Sequence, residues 1–258
     1  MQKGKCHSYE SWGLFLSALA ATALGLEGVA AKMAYAGGAN IPTTLALRFL
    51  AAAAFFWCIL ALDRRPWRLE QATLGRLAIL ALGGQAVTVL LLFYAFQHIP
   101  AALAILFFYL YPVVVAILAV IFLHEPLTRA KVGALLLALA GLIIILGVPT
   151  GGLDVRGLTA ALLAALANGI YLVGQTRLLK RLEPRVFNAY ATLIMGCAFF
   201  LLALATGTLD LSLDRKAIVA IAILSLVCTV LAYTAIAWGL RYIGASRVAI
   251  ISTIEPVV

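Results

Sequence analysis

Charged residues are scarce in this chain of 258 residues, where Asp, Glu, Lys and Arg together make up 11%. Soluble proteins carry roughly a quarter charged residues. Hydrophobic residues make up 65% of the chain, and the mean hydropathy is +1.09. Such a chain cannot cover its own surface with polar groups in water, which excludes a soluble enzyme, a secreted disulfide scaffold and a disordered tail. We therefore expect the chain to lie in the lipid bilayer.

Cysteine and reactive motifs are also sparse. The 4 cysteines stand far apart with no C-x-x-C pair, so neither a zinc site nor a disulfide framework is indicated. There is no H-E-x-x-H pair, no G-x-S-x-G elbow, no P-loop and no cluster of aspartates. We expect no metal and no cofactor. A membrane-embedded enzyme remains one alternative function, and a non-transporting channel or structural subunit is another.

Long apolar runs dominate what is present. A membrane helix needs about 20 mostly apolar residues, because a rise of 1.5 Å per residue must cross roughly 30 Å of hydrocarbon. Charges, Gly and Pro divide the chain into eight such runs and a ninth that reaches the C-terminus. These runs predict an all-α polytopic membrane protein. The predicted spans are 13–35, 42–62, 73–96, 100–122, 131–148, 157–177, 186–206, 217–239 and 243–258.

Basic residues are distributed unequally between the two sides of the membrane. With the N-terminus placed inside, 14 of the 19 Lys and Arg residues, including Arg64 and Arg65, fall on the inner side. Lys and Arg are enriched in cytoplasmic loops. We therefore predict an integral cell-membrane protein with a cytoplasmic N-terminus. The net charge of +9 is explained by those loops, so no nucleic-acid partner is expected.

The chain repeats itself at an offset of 144 residues. Gly13–Gly25 aligns with Gly157–Gly169 at seven of thirteen positions, where chance predicts about one or two. The same offset aligns Pro112–Val114 with Pro256–Val258. One register therefore fits both ends of the repeated unit.

The repeated unit contains five spans, so a second copy must enter the membrane from the opposite side. This predicts an inverted repeat of five plus five helices, with the first unit at 1–148 and the second at 149–258. Inverted repeats are typical of secondary transporters, which bind substrate between the halves and work by alternating access. The second unit is truncated within helix nine, and we expect the chain to be a fragment.

Three stretches resemble a known family. They are LRFLAA at Leu47–Ala52, LYPVVVAILAVIFLHEPLT at Leu110–Thr128 and ISTIEPVV at Ile251–Val258. With the five-plus-five pattern, they resemble an EamA-type permease of the drug/metabolite transporter superfamily. The resemblance implies a cavity lined by helices one, three, four, six, eight and nine, and export of small metabolites, often amino acids. It also suggests a homodimer formed through the fifth span, near Ala134 and Ala138.

Three charged residues, Glu27, Lys32 and Arg48, lie within the first two predicted spans. A carboxylate at the middle of a span, as at Glu27, costs about 3 kcal/mol even on the mildest scale, so it should face a cavity or a partner. One hypothesis is that Glu27 couples transport to protons, and the other is that it pairs with Lys32 or Arg48. The two cations lie near the outer ends of their spans, where we expect their side chains to reach the headgroups. Turned inward, either could bind a substrate carboxylate.

Uncharged polar side chains near mid-membrane supply further candidates for substrate contact, although such groups also join helices. The residues expected to contact substrate are Gln85, Thr88, Tyr109, Asn168 and Tyr171.

Two prolines and a turn complete the set of candidates. Pro112 and its repeat counterpart Pro256 should bend their helices, either as gating bends or as packing kinks without motion. Glu125 falls at the cytoplasmic turn after span four. There we expect a structural carboxylate that caps a helix or pairs with Arg129 or Lys131.

Overall fold

Every regular element of the chain is helical in a computed structural model that describes residues 2–63, 67–146 and 154–257. Ala- and Leu-rich stretches favour helix because their side chains lose little rotamer freedom there. In hydrocarbon, a helix also satisfies its own backbone groups. The all-α class is confirmed. The predicted boundary at residue 148, and the predicted cytoplasmic residues Arg64 and Arg65, lie outside the described residues.

The described elements are α-helices, two π-helical segments and one 3₁₀ segment. In chain order they are α1 (Gln2–Gly25), α2 (Glu27–Ala36), α3 (Ile41–Leu62), α4 (Gln71–Leu80), π1 (Ala81–Ala86), α5 (Val87–His98), α6 (Ala101–Phe108), α7 (Tyr111–Leu123), α8 (Arg129–Leu146), α9 (Val155–Leu179), α10 (Pro184–Ala205), α11 (Arg215–Ser225), π2 (Leu226–Leu231), α12 (Ala232–Ile243), α13 (Ala245–Ile251) and the 3₁₀ segment Ser252–Val257.

Seven helical stretches within the described residues are long and apolar enough to cross a membrane. They coincide with predicted spans one to four and six to eight, which confirms a polytopic membrane protein. The predicted fifth span corresponds to α8 and the ninth to α13 with the 3₁₀ segment, and neither is among the seven. The seven are Tyr9–Ala36, Ile41–Leu62, Gln71–His98, Ala101–Leu123, Val155–Leu179, Pro184–Ala205 and Arg215–Ile243.

Two of the spans are broken near their middle. The first is interrupted at Leu26, directly before Glu27. The fourth is interrupted at Tyr109 and Leu110, so Pro112 stands in the first turn of α7. Proline fits there because the first amides of a helix have no intrahelical acceptor. The expected bend inside a continuous helix is therefore a break between two helices.

Three further spans depart from regular α-helix. The third contains π1 and the eighth contains π2, at closely matching places in the two predicted units. π-helical turns are frequent at functional sites. The ninth changes to the 3₁₀ segment Ser252–Val257, which includes Pro256.

The first and sixth spans run in opposite directions. Gly157, near the start of α9, packs against His98 and Ile99 at the end of α5. The third span crosses the bundle in the same direction as the first, because the second span returns between them. The sixth span therefore begins on the side of the bundle where the first span finishes.

Candidate functional site

A cavity lies at the centre of the bundle, lined by the first, third, fourth, sixth, eighth and ninth spans. It has about 690 Å³ free of protein atoms, counting its mouth, of which about 70 Å³ is open to the centre of a water molecule. These volumes suit several waters or a slender small ligand. The lining residues are Leu24, Glu27, Gln85, Thr88, Val89, Leu92, Phe108, Tyr111, Asn168, Tyr171, Leu172, Gln175, Tyr233, Ile236, Val248, Ser252 and Glu255.

Glu27 and Arg48 form an ion pair beside the cavity. Nη1 of Arg48 donates to Oε1 of Glu27 at 2.7 Å, and Nη2 donates to Oε2 at 3.3 Å. The Glu27 side chain keeps 11% of its area exposed and lines the cavity, whereas the Arg48 side chain is fully buried. Of the two hypotheses for Glu27, the structure shows an ion pair, and its partner is Arg48.

Two further donors of Arg48 are bound by π2. Nε donates to Oγ1 of Thr229 at 2.8 Å, and Nη2 also donates to the carbonyl oxygen of Cys228 at 3.3 Å. The guanidinium carbon lies 5.1 Å from the ring centre of Phe49 and 5.9 Å from that of Phe93. The expectation that Arg48 reaches the headgroups is wrong, because its side chain points from α3 into the interior of the bundle. There it donates to the acceptors on α2 and π2.

Besides Arg48, two of the predicted site residues are not part of the cavity lining. Lys32 is exposed on α2. Tyr109 is fully buried, and its hydroxyl donates to the carbonyl oxygen of Ser252 at 2.9 Å. This contact joins the fourth and ninth spans. Two residues further along, Tyr111 lines the cavity instead.

The other uncharged candidates, Gln85, Thr88, Asn168 and Tyr171, all line the cavity. The Thr88 hydroxyl donates to the carbonyl oxygen of Gly84, one turn earlier, at 2.9 Å. A Cβ at Gly84 would lie 2.9 Å from the Cβ of Tyr171, so glycine permits the close approach of π1 to α9. The sequence therefore located four of the five uncharged residues on the cavity wall.

Two buried amide oxygens on the wall have no partner. Nε2 of Gln85 donates to the hydroxyl of Tyr233 at 2.7 Å, which joins the third and eighth spans. Within the described residues, Oε1 of Gln85 and Oε1 of Gln175 accept no hydrogen bond, although both side chains are buried. A buried acceptor without a donor is costly, so these two atoms mark places where a ligand or water would bind.

Sequence reasoning missed several lining residues, among them Tyr233 and Ser252, and assigned no role to Glu255. The repeat offset relates them to Val89, Phe108 and Tyr111, none of which was a predicted site residue, so the offset alone would not have found them. It does relate lining residues in pairs. The pairs separated by 144 residues are Leu24 and Asn168, Glu27 and Tyr171, Val89 and Tyr233, Leu92 and Ile236, Phe108 and Ser252, and Tyr111 and Glu255.

Glu125 joins the turn between α7 and α8 to the start of α13. Its Oε1 accepts from the Ala245 amide at 3.0 Å, and its Oε2 accepts from the Ser246 hydroxyl at 2.7 Å and from Lys131 Nζ at 3.2 Å. Burial alone would raise the pKa of the Glu125 carboxyl, but the hydrogen bonds and the charge of Lys131 outweigh it and hold the pKa below its ordinary value. Glu125 thus caps α13 and pairs with Lys131.

Membrane-crossing helices packed around an internal polar cavity define a multi-pass helical membrane protein with the architecture of a transporter. The model of the EamA-like transporter family matches residues 11–147 and 155–258. The chain belongs to the EamA-like transporter family, which is part of the drug/metabolite transporter superfamily.

The fold is also similar to that of a solved protein structure that carries no functional description. The two share 22% sequence identity with a TM-score of 0.76, over 96% of this chain and 85% of the other. At that identity, the likeness concerns the fold alone. No curated protein matches the chain.

Proposed function

We propose that this protein is a secondary-active transporter that binds a small metabolite in the central cavity and moves it by alternating access. The observation that carries the proposal is the wall of the cavity, where residues from the two halves lie in pairs at one constant offset. A site shared between halves can open to either side of the membrane when one half rocks against the other.

The proposal includes the inverted repeat with the two units given above. A Cβ at Gly13 would lie 2.6 Å from Cγ2 of Ile243, and a Cβ at Gly157 would lie 2.8 Å from Cγ2 of Ile99. Adding 144 to Gly13 gives Gly157, and adding 144 to Ile99 gives Ile243, so the offset converts one contact into the other. Contacts across a twofold axis are related in this way. The opposite directions of the first and sixth spans, and two separate matches to one family model, support the same arrangement.

We further propose a cytoplasmic N-terminus and export as the direction of transport. Arg247 pairs with Glu10, near the start of the first span, and Arg185 pairs with Asp63, just after α3. Because α3 returns across the bundle after the first span, both pairs lie at the end where α1 begins. The loops that carry most of the basic residues gather at that end, as cytoplasmic loops do. Amino acids are the first substrates to test, because the family resemblance implies them.

Proton coupling through Glu27 is a finer part of the proposal. Protonation of Glu27 would leave the buried Arg48 cation without its partner, which is costly. Coupling would therefore require the ion pair to open during the transport cycle. Unchanged proton dependence of uptake in Glu27→Gln would contradict it.

Counterflow in proteoliposomes tests the carrier mechanism. Labelled amino acids and amines, offered singly, should enter faster when the same compound is present inside, because a carrier returns loaded faster than empty. We expect Asn168→Leu, which introduces the residue found at the offset position, to reduce the initial rate about tenfold through loss of a polar contact. An uptake rate that does not depend on the compound inside the liposomes would instead indicate a channel.

Asn188→Leu is the matched control for Asn168→Leu. Asn188 is also buried, on α10, has no hydrogen-bond partner for its side-chain amide within the described residues, and is not on the cavity wall. The control should therefore transport at the rate of the unmodified protein. Equal loss in both variants would show that general destabilisation, and not ligand contact, explains the effect.

A further inference from the structure

Within the part of the chain that the structure describes, the cavity wall carries acidic groups and no basic ones. Glu27 and Glu255 both line it, from the first span and from the 3₁₀ segment. Among the described residues, no Lys, Arg or His belongs to the lining. Within those residues, the Glu255 carboxyl has no ion-pair partner. The wall therefore offers no cation to a negatively charged ligand.

Arg48 pairs with Glu27 of this wall, and four hydrogen bonds already use most of its five N–H donors. Its three nitrogens donate to Glu27, Thr229 and the Cys228 carbonyl oxygen, and no part of the residue is exposed. A ligand carboxylate could reach the guanidinium only by displacing Glu27. The expectation that Arg48 binds a substrate carboxylate therefore has no support in this geometry. What Arg48 does is hold the Glu27 carboxylate in place at the edge of the cavity.

A second observation, independent of the carboxylates, also points to a ligand that donates hydrogen bonds. The unpartnered polar atoms on the wall are Oε1 of Gln85 and Oε1 of Gln175. Both side chains are more than nine-tenths buried, at 9% and 2% exposure. Amide oxygens can only accept hydrogen bonds, so each needs a donor that the described residues do not provide. An ammonium group supplies both hydrogen-bond donors and a positive charge. It is therefore complementary to the two glutamine oxygens and to the two carboxyl groups of this wall.

The remainder of the wall is aromatic and aliphatic. Phe108, Tyr111, Tyr171 and Tyr233 contribute rings from the fourth, sixth and eighth spans. Aromatic faces attract an ammonium group and also pack against an apolar body. The ligand that fits this wall has a cationic end and an apolar or aromatic remainder, and it is slender because the cavity is narrow.

We propose that the cavity selects primary organic amines with an apolar or aromatic body, and that a carboxylate on the ligand weakens binding. The inference rests on the proposed function, since it assigns a substrate class to the cavity proposed as the transport site. Glu27 and Glu255 bind the ammonium group, Gln85 and Gln175 accept its remaining hydrogen bonds, and Arg48 is a positioning residue that acts through Glu27.

Three probes that share one phenyl body test this assignment: 2-phenylethylamine, phenylalanine and 3-phenylpropionate. The first has only the ammonium, the second has both charged groups, and the third has only the carboxylate. Equilibrium binding of labelled 2-phenylethylamine to the purified full chain in detergent, with the other two as competitors, gives the order of affinity. We expect the amine to bind at least about tenfold more tightly than phenylalanine, and 3-phenylpropionate not to compete, because charged hydrogen bonds are worth about a factor of ten or more.

Variants separate ligand contact from folding. Glu255→Gln leaves the pair between Glu27 and Arg48 intact and should weaken amine binding about tenfold with little change in melting temperature. Glu27→Gln should weaken it as well, but it also leaves Arg48 unpaired, so Glu255→Gln is the decisive variant. Glu70→Gln removes an exposed carboxylate before α4, away from the cavity, and should bind the amine like the unmodified protein.

The outcomes distinguish this inference from the transport proposal. The inference is overturned if phenylalanine or 3-phenylpropionate binds more tightly than 2-phenylethylamine. It is also overturned if the protein binds none of the three probes while a thermal melt shows that it is folded. If any of the three probes shows counterflow in either case, the carrier proposal stands and only the inferred ligand class fails. If the amine binds but shows no counterflow, the ligand class is supported and the carrier proposal is contradicted. Protein-free liposomes measure how much amine leaks through the lipid in this experiment. Unchanged amine affinity in Glu255→Gln overturns the assignment of that residue.

Discussion

A buried guanidinium needs acceptors for its donors, and Arg48 finds them on two other elements of the bundle. Glu27 approaches from the start of α2, next to the break at Leu26, and Thr229 and the Cys228 carbonyl oxygen approach from π2. In a regular α-helix the Cys228 carbonyl oxygen would be occupied by an amide of the same helix. The irregular turns and the ion pair therefore support each other, which ties spans one, two and eight together at one point.

Removing one member of this pair should cost more than removing both. We expect Glu27→Gln to lower the free energy of unfolding by roughly 3–5 kcal/mol, because Arg48 is left buried without its carboxylate. The double variant Glu27→Gln with Arg48→Met should recover part of that loss. The measurement is denaturant unfolding of the purified protein in detergent micelles.

Glu10→Gln provides the control for the ion pair. It breaks the exposed pair with Arg247 and should change the free energy of unfolding by no more than about 1 kcal/mol. If Glu10→Gln and Glu27→Gln proved equally harmful, burial would not be the source of the effect.

At the level of elements, close contact between helices depends on glycine at particular positions. The contact between α3 and α10 is the most extensive between any two elements in the described residues. There, a Cβ at Gly196 would lie 2.9 Å from the backbone nitrogen of Leu50 and 3.0 Å from its Cδ2. A backbone atom cannot move aside as a side chain can, so α10 would have to shift to accept any larger residue.

We expect Gly196→Ala to lower the free energy of unfolding by about 1–3 kcal/mol through this overpacking. Gly75→Ala is the matched control, because a Cβ at Gly75 in α4 would meet no atom within 4 Å. The control should leave stability unchanged or raise it by up to about 1 kcal/mol, since alanine favours helix. Both are measured by thermal unfolding in detergent, and a stabilised Gly196→Ala would refute the packing argument.

On the scale of the whole molecule, contacts between loops show that the connections between the spans lie at two opposite ends of the helical bundle. Asn40 donates to the carbonyl oxygen of Thr208, and the neighbouring segment Gly37–Gly38 adjoins the loop before α11. At the opposite end, Glu125 contacts Ala245 and Ser246. The basic residues concentrate at the second of these ends, which we propose to be cytoplasmic.

Cysteine labelling measures this orientation directly. In a background without the four native cysteines, Ser212→Cys should react in intact cells with a maleimide that cannot cross membranes, whereas Thr128→Cys should react only after lysis. Both positions are exposed, in the loops before α11 and before α8. The reverse pattern would invert the proposed topology, and labelling of both in intact cells would contradict the placement of these loops on opposite sides.

Much of the site could be predicted, and the failures have physical causes. Glu27 could be placed at a cavity or partner because a lone carboxylate in hydrocarbon is too costly. Arg48 could not, since its span is apolar on all sides and the pattern does not reveal which face is buried. Tyr111 and not Tyr109 lines the cavity, because the helix is interrupted at Tyr109 and Leu110, a break that the apolar pattern does not reveal. Tyr233 and Ser252 correspond by the repeat offset to the apolar residues Val89 and Phe108, so the repeat does not mark them.

The order of residues is enough to show that the chain crosses a membrane as helices, because backbone groups in hydrocarbon can be satisfied only within such elements. It is also enough to indicate the family, since the family motifs are local in the chain. Only the packing of the helices shows which cation pairs with Glu27, which polar side chains face the cavity and which join helices. Those outcomes depend on how each helix is rotated and where it breaks, and rotation is set by packing between residues far apart in the chain.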